Sequence, residues 1–270
     1  MILSNALASD TNTSVVCDRV VNCYTNVQNW SENNGLTINK SKTATLIFKR
    51  NCTLENLLAN NDIQTEESAK FLGVILDSKL TFNEHVDMVA KKVSSGIYAL
   101  KVLRDVLPKK ELVSVYHALI GSHLTYGILA WGLTSKHNME RLLRLQKWAI
   151  RTMLSQTRIT SCRNRFRELE ILTFPCLYAF HACIHLHKLK LAGELKDNSV
   201  VHGYYTRHSN DIHIGHRQYH KTKTTLYSDG IRMYNKLPDN IRQNSSLPSF
   251  RVAVKKYFLS VEAYDYEDLL

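Results

Sequence analysis

Between residues 15 and 34 the chain places Val16, Val20, Cys23, Val27 and Trp30 at spacings of three and four, the apolar stripe of an amphipathic helix. Thr13 or Ser14 is its expected cap, and Gly35 stops it. After that glycine the period changes to two. Leu36 and Ile38 precede a turn at Asn39-Lys40-Ser41-Lys42, and Thr43, Thr45 and Ile47 then alternate with Ala44, Leu46 and Phe48. Residues 49–62 are polar and read as a loop with one helical turn. The run FLGVIL, 71–76, predicts a further strand with Gly73 in its middle, where a bulge or a close backbone approach is the usual reason for glycine. The strands at 36–38, 43–48 and 71–76 are expected to be antiparallel neighbours.

From Thr81 the pattern is helical. Thr81 with Glu84 has the spacing of a capping box, and Val86, Val89, Val93, Ile97, Leu100 and Leu103 keep a three-to-four spacing until Pro108. Further helices are expected at about 109–120, 137–155 and 176–192, with a short segment at 163–169. A polar, His- and Tyr-rich stretch covers 196–226, and helix signals return at 228–235 and 248–260 around Leu237-Pro238. The predicted fold is α+β: a small antiparallel sheet followed by a mostly helical remainder, with composition shifts near 83 and 196 and no internal repeat.

The 270 residues are 44% hydrophobic, enough to bury a core. Lys plus Arg number 35 against 24 Asp plus Glu, a formal charge of +11, which favours a polyanionic partner over an acidic protein target. The six cysteines, Cys17, Cys23, Cys52, Cys162, Cys176 and Cys183, contain no Cys-x-x-Cys, so a reducing compartment is the simpler reading. MILSNALASDTNT lacks the basic flank and apolar run of a signal peptide. Residues 112–135 hold no Asp, Glu, Lys or Arg, but their histidines, glycines, serines and threonines dilute them below a spanning segment, so no membrane partner is expected. Phosphate-loop, hydrolase-elbow and zincin motifs are absent.

Two clusters carry candidate chemistry. In MERLLRLQKWAIRTML, 139–154, Met139, Leu142, Leu143, Ile150 and Met153 share one side of a helix, while Arg141, Arg144, Lys147 and Arg151 follow one another at spacings of 3, 3 and 4 on another. At a rise of 1.5 Å per residue such cations recur roughly every 5 Å, close to the spacing of successive phosphates. Glu140 is the only acid between 136 and 167, whereas an ordinary solvated face interleaves glutamates, so polynucleotide contact is the favoured reading. In PCLYAFHACIHLHKLK, 175–190, His181 and His185 could face a metal together, but Cys176, Phe180, Cys183 and His187 form one stripe and read as packing; no metal site is expected.

The blocks NWSENNGLTINKSKTATLIF, FLGVILDSKLTFNEHV, LTYGILAWG, LLRLQKWAIR and YNKLPDNIRQNSSLPSF, in that order, resemble the C-terminal part of non-LTR (LINE-like, jockey-type) retrotransposon reverse transcriptases. The resemblance covers about residues 13–260. It implies a partial palm at 1–82, a helical thumb at 83–160 and a C-terminal helical region at 161–270. Lys42 would stand near the triphosphate as an accessory to catalysis, against the plainer reading of an exposed turn lysine. Leu72 and Gly73 would lie in the primer grip, with nucleic acid also on Arg141, Arg144, Lys147 and Arg151.

Polymerases of this kind use two Mg2+ ions held by aspartates of two palm motifs. The nearest match here, Leu7-Ala8-Ser9-Asp10-Thr11, keeps Asp10 as a weak remnant, with a helix-flanking polar residue as its alternative. The expectation is therefore a chain that binds an RNA or RNA/DNA template-primer and no cofactor alone, acts inside the cell (nuclear, cytoplasmic or both), and needs an N-terminal polymerase segment for synthesis. The alternative is a non-enzymatic nucleic-acid-binding or interaction protein derived from such an element.

Overall fold

A computed structural model describes residues 8–10, 12–39, 43–48, 52–202, 208–215 and 225–270. The chain divides into two compact units, residues 1–85 and 86–270.

In the first unit, helix α1 (Thr13–Asn33) is capped by Asn12, whose side chain accepts from the Ser14 amide at 3.0 Å, one residue before the expected cap. At its other end the Gly35 amide donates to the Glu32 carbonyl and the Leu36 amide to the Ser31 carbonyl, the pair of bonds that closes a helix around a left-handed residue. Cys17 of α1 meets Leu54 and Leu58 of α2 (Cys52–Ala59) and Ile63, with Val20, Tyr24 and Ile47 packed around them.

The strands differ from the periodicity. Residues 36–38 form none. Strand β1 is short (Thr45–Leu46) and pairs in parallel with β2 (Thr65–Glu66). FLGVIL is a hairpin: β3 (Ser68–Phe71) runs antiparallel to β4 (Val74–Asp77), with Phe71 opposite Val74. Its two-residue turn is Leu72-Gly73, with φ of 44° and 85°, the doubly positive conformation that suits a tight hairpin. Gly73 is a turn residue and not an insertion within one strand.

After β4 the Asp77 carboxylate accepts from the amides of Lys79, Thr81 and Phe82 and from the Thr81 hydroxyl. Partial burial works to raise its pKa, but these donors together outweigh it and hold the carboxyl below the usual range. They also fix Leu80 and Phe82 at positive φ before helix α3 (Asn83–Leu103) begins. Glu84 accepts from the Ser68 hydroxyl at 2.8 Å, so the expected capping partners turn elsewhere.

The second unit is helical. Helix α3 buries Val86, Val89, Val93, Ile97 and Leu100, the face that its spacing predicts. Helix α4 (Lys109–Tyr116) runs through a π-helical turn (His117–Gly121) into α5 (Ser122–Thr125), and α6 (Ile128–Trp131) and α7 (Lys136–Met153) follow. Beyond a short α8 (Arg165–Glu168) comes α9 (Phe174–Leu191), buried on nearly every side and packed by α6, α7, α11 (Ile231–Asn235) and α13 (Leu247–Val261). Helices α10 (Asn198–His202) and α12 (Asp239–Arg242) complete the unit.

Two of the sequence blocks hold this core together. In LTYGILAWG the buried Trp131 stacks on Phe174 with centroids 5.7 Å apart and donates its indole N–H to the Tyr126 carbonyl at 2.8 Å. A Cβ on Gly132 would lie 2.5 Å from the Ile128 carbonyl oxygen and 2.5 Å from the Tyr178 ring. Gly132→Ala is expected to cost about 2–3 kcal/mol, read as a lowered urea midpoint with an unchanged slope. In YNKLPDNIRQNSSLPSF, Tyr234, Leu237, Ile241 and Phe250 are buried, and Arg242 bridges Asp211 and Asp239.

Candidate nucleic-acid interface

Helix α7 starts at Ser135, whose hydroxyl oxygen accepts from the Asn138 amide, and buries Met139, Leu142, Leu143, Gln146, Ala149, Ile150 and Met153. Gln146 anchors it from within: its amide group donates to the Tyr116 hydroxyl at 2.9 Å and to the Leu172 carbonyl at 3.2 Å. With one face so fixed, the opposite face is fixed too. At 3.6 residues per turn the four cations occupy an arc of roughly 120°, away from the buried face.

The four are not equivalent. Arg144 is exposed and has no acidic partner among the described residues. Arg141 is ion-paired with Asp87 on α3, so part of its charge is already answered. Lys147 lies with Nζ 4.4 Å from the centre of the Tyr264 ring, and desolvation is the main reason its pKa is lowered, the neighbouring Arg151 adding to it against Cys162. Arg151 donates from Nε to the Thr160 carbonyl at 2.7 Å, which holds the guanidinium at the helix end.

Trp148 belongs to the same face and is absent from the cations-only reading. It falls between Arg144 and Arg151, is 42% exposed, and carries the Arg158 guanidinium 5.7 Å above its ring. An exposed aromatic among cations is the composition of a surface that stacks bases and neutralises phosphates. Its place four residues after Arg144 was the available signal.

The other candidates are less concentrated. Asp10 pairs with Arg19 at 3.3 Å and accepts from the Asn12 amide at 3.1 Å, beside the start of α1. Leu72 is exposed at the tip of the β3–β4 hairpin, next to Gly73. Lys42 lies outside the described residues. With Asp10 engaged by Arg19, and no group of three or more His, Cys, Asp or Glu able to hold a metal among the described residues, the donor set does not fit a pair of magnesium ions. No helix among the described residues is long and apolar enough to cross a membrane.

The stripe of Cys176, Phe180, Cys183 and His187 on α9 is packing, while His181 and His185 are half-buried. Cys176, Cys183 and His187 are buried; His187 shares a hydrogen bond with the Tyr234 hydroxyl (2.8 Å) and another with the Asn244 carbonyl (2.9 Å), and stacks on Phe250 at 3.6 Å. Burial pushes the Cys176 thiol up to about 11.

The chain is similar to the RNA-directed DNA polymerase from the mobile element jockey of Drosophila melanogaster, 25% identical over 151 residues that make up 53% of this chain and 16% of the relative. It is also similar to the probable RNA-directed DNA polymerases from two transposons of the same species. To that of X-element it is 24% identical over 176 residues, 62% of this chain and 19% of the relative. To that of BS it is 30% identical over 88 residues, 32% of this chain and 10% of the relative. No protein-family model and no solved structure matches. The resemblance to non-LTR retrotransposon reverse transcriptases thus rests on several relatives, and the chain spans between 10% and 19% of their length.

Proposed function

We propose that this chain is the C-terminal part of an RNA-directed DNA polymerase of a non-LTR retrotransposon, that it contributes template-primer binding, and that it does not synthesise DNA alone. The observation that carries the binding role is the outer face of α7, where Arg144 and Arg151 flank the exposed Trp148, Arg158 lies over its ring, and Lys147 continues the row. The similarity to three such polymerases supports the class. In this reading residues 1–82 are a partial palm, 83–160 a thumb and 161–270 a C-terminal region. Lys42 assists at the triphosphate, Leu72 and Gly73 face the primer backbone, and the carboxylates for magnesium come from an N-terminal polymerase segment. The protein works inside the cell, in the nucleus, the cytoplasm or both.

The experiment is primer extension with magnesium on an RNA template. The pure chain is expected to bind template-primer and incorporate nothing, and an N-terminal polymerase segment added in trans is expected to restore synthesis. Template-dependent incorporation by the chain alone would overturn the proposal. Binding without rescue would favour a non-enzymatic nucleic-acid-binding module.

A further inference from the structure

The C-terminal half of α7, the segment 161–163 and Tyr264 line an open cavity of about 350 Å³ formed by Lys147, Arg151, Ser161, Cys162, Arg163 and Tyr264. Three of the six lining residues are cations and none is an acid. Lys147 is held over the Tyr264 ring and Arg151 is pinned through Nε, which leaves the terminal amino groups of Arg151 without a protein partner among the described residues. Arg163 donates its backbone amide to the Ser161 Oγ at 3.3 Å, so the Ser161 hydroxyl keeps its proton for another acceptor.

The acid beside this cavity is Glu262. Its Oε1 accepts from the Asn164 amide at 2.9 Å and from the Tyr264 hydroxyl at 2.6 Å. Glu262 offsets part of the charge of Lys147, Arg151 and Arg163, and the lining itself, with three cations and no acid, stays positive. Like charges that converge where water is withdrawn are unfavourable: desolvation lowers the Lys147 pKa most, Cys162 opposes it, and Arg151 lowers it further. An anion in the cavity would offset the repulsion between these cations.

We propose that this cavity binds a phosphomonoester, the terminal phosphate of the polynucleotide whose backbone runs along α7. The proposal rests on the reading of α7 as a nucleic-acid face. A phosphomonoester carries about −1.5 to −2 charges at neutral pH, which suits a lining of three cations better than the one charge of a passing phosphodiester. Arginine forks take phosphate oxygens two at a time, and the concavity suits a chain end better than a continuous strand, which the open row of Arg144 and Trp148 suits instead.

The test uses the full chain and fluorescence anisotropy with oligonucleotides of one sequence, bearing a 5′-phosphate, a 3′-phosphate or neither, together with calorimetric titration of inorganic phosphate. At least one phosphorylated form is expected to bind about tenfold more tightly than the unphosphorylated one, a gain of about 1.4 kcal/mol. Arg163→Gln, at an exposed position, should remove that advantage without changing the Tm, and Lys147→Met should reduce it. Arg144→Ala, outside the cavity, should weaken all three oligonucleotides alike. Equal affinity for all three in the unaltered chain, or a phosphate advantage that survives both cavity variants, would overturn the proposal. If oligonucleotides bind with Arg144 sensitivity but ignore the terminal phosphate, the cavity assignment alone fails. If inorganic phosphate binds and Arg163→Gln abolishes it while no oligonucleotide binds, the α7 reading alone fails.

Discussion

His187→Ala is expected to destabilise the second unit by about 2–4 kcal/mol, the largest single-residue effect that the structure predicts. Both ring nitrogens are engaged, one with the Tyr234 hydroxyl and one with the Asn244 carbonyl, and the ring lies flat against Phe250 at an interplanar angle of 4°. Removing it leaves a buried hydroxyl and a carbonyl without their partner and opens a cavity where α9, α11 and α13 meet. Equilibrium urea unfolding measures the loss.

The same residue makes stability depend on pH. Burial is the main reason the His187 pKa is depressed, the bond to the Asn244 carbonyl opposing and Lys190 adding to it. His117, His123 and His181 are lowered as well, each chiefly by desolvation, with Lys255, Lys92 and Arg251 as their respective cationic neighbours. For a depressed histidine the unfolded chain binds the proton first. The stabilising contribution is therefore complete above the ordinary pKa near 6.5 and is lost as pH falls through the folded value. Urea midpoints should drop between about pH 7 and pH 5, and the drop should be shallower in His187→Ala.

Replacing Arg141, Arg144, Lys147 and Arg151 together by alanine is expected to weaken nucleic-acid binding by about 100-fold near 0.1 M salt while leaving the helix intact. Alanine is a strong helix former, and all four side chains lie outside the buried face of α7. The contributions should be unequal. Arg144→Ala should cost most, because Arg144 has no acidic partner among the described residues, and Arg141→Ala least, because Asp87 already answers its charge. A similar loss at every position would favour a diffuse positive field over a built face.

How much of this was legible in the chain depends on whether the determinant was local. The α3 face and the α7 stripe follow from helical spacing and appear as read. Residues 36–38 alternate like a strand, but the Leu36 amide is spent on the Ser31 carbonyl in closing α1, so the alternation has no ladder to join. FLGVIL looked like one strand because Leu72 is an unusual residue for positive φ, and the Asn-Gly type of signal that announces a two-residue hairpin is missing. The Thr65–Glu66 pairing lies in polar residues that carry no period. At the site, the four cations were visible, but what distinguishes them was not: Asp87 reaches Arg141 from 54 residues away, and Tyr264 reaches Lys147 from the far end of the chain.

The most direct measurement of the central claim is the salt dependence of template-primer affinity for the unaltered chain and for the quadruple alanine variant. With Arg144, Lys147 and Arg151 as the phosphate-neutralising groups, the logarithm of the affinity should fall with the logarithm of salt at a slope steeper by about 2–3 in the unaltered chain than in the variant. Equal slopes and equal affinities in the two proteins would contradict the assignment of α7 as the nucleic-acid face.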